Sequence, residues 1–131
     1  LQGLKNVLGV PGGEAQTRDQ LLLSRLAVQT AVMRHAGKLE HRYTSNGDIW
    51  VQRGKDLSEL QTVLGAGGPL AFSADAKFVL SGAAGDDPGV LTPRTPRYLL
   101  DEKYILFAVG LLSLSEPEKA IRIFKKYVKE L

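Results

Sequence analysis

The chain has 131 residues, 44% hydrophobic and 24% charged, with a formal net charge of +3 and no cysteine. This composition describes one globular domain able to build a core, and excludes a low-complexity chain. The missing thiols exclude a disulfide framework, a thiolate nucleophile and a cysteine metal cluster. The mild basicity falls short of the concentrated basic face of a dedicated nucleic-acid binder.

The sequence begins at Leu1 and its one methionine is Met33. We therefore expect a trimmed chain or a mature chain freed of a leader, with an organelle lumen as one destination. Residues 1–16 read as an extended arm punctuated by Gly3, Gly9, Pro11, Gly12 and Gly13, and residues 17–131 as a single helical domain. Gly9 to Glu14 lacks the Gly-Lys-Ser/Thr of a phosphate loop. Leu4, Val7, Leu8 and Val10 are apolar in a stretch unsuited to a helix, and are expected to bind a partner protein.

Thr17 and Gln20 form a capping-box pattern that predicts a helix to about Ala36, closed by Gly37. Its apolar residues cover well over half the circumference, leaving Arg25, Gln29 and Arg34 for solvent. Lys38 to Gly54 is polar. Asn46-Gly47 is a turn signal compatible with a short hairpin, but a loop that inserts Trp50 into the core suits a helical protein better. Asp56 and Glu59 start another predicted helix, with Leu57, Leu60, Val63 and Leu64 on one face and Gly65 as its stop. On that reading no strand precedes Gly65-Ala66-Gly67-Gly68-Pro69, and the spacing is not that of a dinucleotide fingerprint, so this stretch is a plain loop. Ser73 caps a fourth helix to about Leu80, with Phe72, Ala76, Val79 and Leu80 inward. Residues 83–94 form a long Gly/Pro-rich crossover loop.

Thr95-Pro96 predicts the start of a long helix to Ser113, apolar on every face from Tyr104 onward and therefore buried all round. A buried Phe107 there implies a loss of roughly 3–5 kcal/mol on truncation to alanine. Ser115 and Glu118 read as a capping box for a last helix, with Ala120, Ile121, Phe124, Tyr127, Val128 and Leu131 as its apolar stripe and its lysines towards the end. This helical pair resembles one tetratricopeptide repeat at Ala108, Ala120, Phe124 and Tyr127, though Ala108 stands where that family keeps glycine. No second copy exists, so an ordinary helical hairpin is the reading.

Candidate chemistry is sparse. His35 and His41, with Glu40 between them, lack further ligands for a metal site. Asp86 and Asp87 lack the alternating ligands of a calcium loop. No nucleophile and base are paired, so we expect no catalytic residue, cofactor or metal. Arg94, Arg97 and Tyr98, at a predicted helix start, suit an anion or an acidic protein surface.

The expected architecture is all-α: a bundle of four to five helices with an extended arm. The expected function is a non-catalytic accessory subunit docking onto a larger protein complex. The Trp50 segment and Gly68-Pro69-Leu70 are loosely similar to the PsbQ-type group, which implies an extrinsic subunit of a photosynthetic membrane complex reached through its partners. The other readings are a nucleic-acid module using the basic last helix, and a small helical enzyme or ligand carrier.

Overall fold

The computed structural model describes residues 14–131, and its described part is mixed α/β rather than an all-α bundle. Helix α1 spans Glu14–His35, strands β1 and β2 span Lys38–Thr44 and Gly47–Arg53, and β3 spans Thr62–Gly65. Two short helices follow, α2 at Gly68–Ala71 and α3 at Ala76–Leu80, the latter running into a 3-10 turn at Ser81–Ala83. After an irregular stretch come β4 at Arg97–Asp101, α4 at Leu106–Ser113, α5 at Pro117–Tyr127 and β5 at Val128–Glu130.

Strands β1 and β2 form an antiparallel hairpin pairing Lys38 with Arg53 through Thr44 with Gly47. Its turn is closed by Gly47, whose φ of 112° suits a residue without a side chain. Thr44 Oγ1 donates to the Gly47 carbonyl at 2.6 Å and accepts the Asn46 amide. Trp50 stays outside the core at 68% exposure, on one face of the hairpin with His41, whose ring centroid lies 5.0 Å away.

The second sheet has the order β3-β4-β5, with β3 parallel and β5 antiparallel to β4. The predicted helix from Asp56 is replaced by a turn and β3. Asp56 Oδ1 accepts from the Ser58 amide and hydroxyl at 2.9 and 2.6 Å, so its side chain serves a turn instead of a helix start. Thr62 and Val63 are β-branched, and Thr62-Val63-Leu64 is continuously half-buried, the pattern of a strand covered on both faces. The predicted helix from Pro96 divides in two. Tyr98-Leu99-Leu100 forms the central strand, and the polar run Asp101-Glu102-Lys103 is the boundary before α4.

Helix α1 begins before Thr17, at Glu14, and docks on α3 through Arg25, which turns inward. Its guanidinium donates to Ser81 Oγ at 2.6 Å and lies 4.7 Å from the Phe78 ring centroid. Helix α3 is capped by Asp75, not Ser73, through a 2.9 Å bond from the Phe78 amide. Ala76, Val79 and Leu80 are core residues as their spacing predicts, together with Ala83, Val90, Leu91, Leu100 and Ala120, whereas Phe72 is 88% exposed. The stretch from Ala84 to Pro96 is not a free loop: Val90, Leu91, Thr92 and Pro93 are buried.

Helix α5 lacks the predicted Ser115 cap; Glu116 is its N-cap residue and Pro117 its first residue. Helix α4 contains no buried residue, and Phe107, Leu111 and Leu114 are 66%, 67% and 85% exposed. The polar boundary at Asp101 moves this run to the surface, so the predicted all-round burial fails. Phe107→Ala should therefore cost under about 1 kcal/mol, as surface truncations do. Parallel denaturant melts of the two proteins check this, and a loss near 3 kcal/mol would contradict the exposed position.

Candidate functional site at the carboxyl edge of the parallel strands

Open α/β sheets hold ligands beyond the carboxyl ends of their parallel strands, where successive turns diverge. Here that edge is formed by Gly65 at the end of β3 and Asp101 at the end of β4.

The turn after β3 is set by its glycines. Gly65 is buried, and a Cβ there would meet both methyls of Leu80 at 2.8 Å and Leu70 Cδ1 at 3.0 Å. Gly67 has φ 115°, which a side chain would strain, and Gly68 faces open space. The acceptors of this turn are committed. The Gly67 carbonyl takes the amides of Leu70 and Ala71 at 3.0 and 2.8 Å, and the Gly68 carbonyl takes Phe72 at 3.0 Å. The donors are not. The amides of Ala66, Gly67 and Gly68 have no hydrogen-bond partner among the described residues. Three consecutive amides left uncommitted are donors available to water or to an anion.

Across the edge, Asp101 is 1% exposed. Its two carboxyl oxygens accept from the amides of Ile105 at 3.0 Å and Leu106 at 2.7 Å, tying β4 to the start of α4. The intervening turn carries Tyr104 at φ 55°, a left-handed conformation uncommon outside glycine. Glu102 pairs with Lys129 at 2.6 Å, and that bond holds its carboxyl below the usual value. Lys103 has no ion-pair partner among the described residues.

The residues singled out from the sequence lie elsewhere. Leu4, Val7, Leu8 and Val10 fall outside the described residues. Arg94, Arg97 and Tyr98 do not stand at a helix start. Arg94 is spent on backbone carbonyls, donating to Gly85 at 2.7 Å, Asp87 at 3.1 Å and Val90 at 3.2 Å, and so staples the 84–93 stretch. Arg97 opens β4 and donates from Nε to Thr62 Oγ1 at 3.1 Å. Tyr98 is half-buried in β4; burial pushes its phenol up, against the opposing charge of Arg25. Two of the basic residues of α5 and β5 are engaged as well: Lys119 pairs with Glu116, and Lys129 with Glu102. Among the described residues no three His, Asp or Glu side chains gather to hold a metal ion, and no helix is long and apolar enough to cross a membrane.

The sequence reading passed over Gly65 to Gly68 because it ran a helix through Thr62 to Leu64. A signal was present: a β-branched apolar run of strand length ending on glycine. Asp101, with Glu102, reads from the sequence as a carboxylate just before an apolar run, with no partnered base or nucleophile beside it.

Comparison with known proteins sets this geometry in a family. The model of the family described as "MutL protein" matches residues 3–128. Protein MutL of Clostridium tetanomorphum is 39% identical over 121 residues, which cover 91% of this chain. The chain spans about a quarter of that relative, 26% of its length. No solved structure matches the chain significantly. These matches overturn the expected photosynthetic extrinsic subunit, whose likeness rested on the Trp50 segment, Gly68-Pro69-Leu70, the helices expected around them and an extended N-terminal arm. The chain belongs to the MutL protein family.

Proposed function

We propose that this segment binds the phosphate of a small phosphate-bearing ligand, such as a nucleotide, at the turn after β3. The observation that carries the reading is the run of uncommitted amides at Ala66, Gly67 and Gly68, at the carboxyl end of a parallel strand. Those donors would otherwise bond water, and a phosphate oxygen accepts several at once. The glycines serve the same end, because the absence of a side chain at Gly68 lets a ligand approach the backbone.

The reading is of binding, not catalysis. At this edge both oxygens of Asp101 are spent on α4, and Glu102 is paired with Lys129. No side chain there is placed as a nucleophile or general base.

Amide resonances of the chain titrated with ADP test the proposal. Saturable shifts centred on Ala66 to Gly68 are expected. Gly68→Val fills open space, so it should leave the melting temperature in place while weakening ADP by about tenfold, or 1.4 kcal/mol. Shifts absent at millimolar ADP, or centred elsewhere, would reject it.

A further inference from the structure

A second, separate feature lies between the end of α1 and the base of the hairpin. A cleft of about 550 Å³ opens there, lined in part by Met33, Arg34, Ala36, Lys38, Glu40 and Arg53. The cleft is shallow and open to solvent, and Arg34, Lys38 and Arg53 stand exposed along it.

Its charge is unbalanced. Lys38 and Arg53 are direct cross-strand partners in the hairpin register, so their side chains leave the same face side by side. Like charges placed opposite one another destabilise a strand pair. Arg34 adds a third cation from the last turn of α1. None of the three forms an ion pair among the described residues. The one carboxyl lining the cleft, Glu40, is already bonded to Arg42 Nη2 at 2.5 Å. That bond is the chief cause of its lowered pKa, with Arg42, Arg53 and Lys38 adding to it by charge.

The walls are also held in place. The Gly37 amide donates to the Lys55 carbonyl at 2.6 Å, and the Gly37 carbonyl accepts the Leu91 amide at 2.8 Å. The Leu39 amide donates to the Gly89 carbonyl at 2.9 Å. Lys38 therefore projects from a backbone fixed on both sides. The strand register fixes the two backbones side by side, while the exposed Lys38 and Arg53 side chains extend into solvent.

We propose that this cleft is an anion site, and that its ligand presents a compact dianionic phosphate group to Arg34, Lys38 and Arg53. A dianion is attracted by three cations that line one cleft and have no ion-pair partner among the described residues, and two guanidinium groups offer paired donors to phosphate oxygens. Met33 and Ala36 give the cleft an apolar wall for the carbon portion of a phosphate ester. The site is independent of the glycine turn, and either can fail without the other.

Inorganic phosphate, held above its second pKa so that the dianion dominates, is the probe, titrated at constant ionic strength and followed by amide resonances. The expected result is saturable shifts at Arg34, Ala36, Lys38 and Arg53, with Ala66 to Gly68 reporting on the other site separately. Arg34→Gln with Arg53→Gln should weaken the binding at the cleft by at least about tenfold. A control, Arg122→Gln with Lys125→Gln, makes the same change in net charge on α5 and should leave it in place. Equal loss in both double variants would show general electrostatic attraction and overturn the site. So would shifts that rise linearly without saturation, or none at the cleft residues.

Discussion

Gly37→Ala should destabilise the protein by about 3 kcal/mol or more, at the upper end of the cost of forcing extra volume into a packed site. The methyl group would sit 2.7 Å from the Arg53 carbonyl oxygen, 2.8 Å from Gly54 C and 2.9 Å from the Lys55 carbonyl oxygen. All three are backbone atoms, so no side-chain rotation relieves the clash. The obstruction falls where α1 ends, where the hairpin begins, and where both the Gly54-Lys55 segment after β2 and the 89–91 segment cross. Ala36 bridges to Lys55 and Lys38 to Val90 at the same point. Pushing the crossing open would release the hairpin and the 84–93 stretch together. At about 3–6 °C per kcal/mol for a domain of this size, the melting temperature should fall by about 10 °C or more. Gly68→Ala supplies the comparison, since its added methyl meets nothing within 4 Å. A melting temperature for Gly37→Ala within about 2 °C of the parent would show that the crossing relaxes and that this close packing is not required.

Asp101→Ala should cost about 2–4 kcal/mol, the sum of two part-buried amides left without an acceptor at about 1–3 kcal/mol each, reduced by partial access of water. The side chain is 1% exposed and joins the central strand to α4 through Ile105 and Leu106. Its backbone carbonyl also takes the Tyr104 amide at 3.3 Å, so the turn with the left-handed tyrosine depends on the same residue. Asp101→Asn keeps one acceptor oxygen and should lose roughly half as much. Urea melts of the three proteins provide the measurement. Asparagine and alanine variants of equal stability would show that the carboxyl oxygens contribute little and that Asp101 acts as volume alone.

These two residues also show where sequence reading reached its limit. Asp101 stands in a run whose apolar residues read as one helix from Pro96 to Ser113, since a short apolar stretch such as Tyr98-Leu99-Leu100 fits a strand or a buried helix equally well. What decides for a strand is β3 on one side and β5 on the other, and both lie more than twenty residues away in sequence. The glycine turn suffered from the same ambiguity. Once Thr62 to Leu64 is taken as helix, Gly65 becomes a stop signal and the amides that follow attract no notice.

Local chemistry determined a good deal by itself. The composition set a cored domain, Asn46-Gly47 carried a turn signal that the structure places in a hairpin, and helical spacing picked out Ala76, Val79 and Leu80 as core. Helices α1 and α5 stand where the sequence places them, although neither starts at its predicted cap: α1 begins at Glu14 and α5 at Pro117. Tertiary structure decided which apolar runs became strands, that Trp50 and Phe107 face outward, and that Arg25 and Arg94 turn to internal partners. It also decided that Lys38, Arg53 and Arg34 share one cleft. The reason is range. Capping and turn geometry are settled among neighbours, whereas strand pairing and side-chain burial depend on groups that meet only when distant parts of the chain fold together.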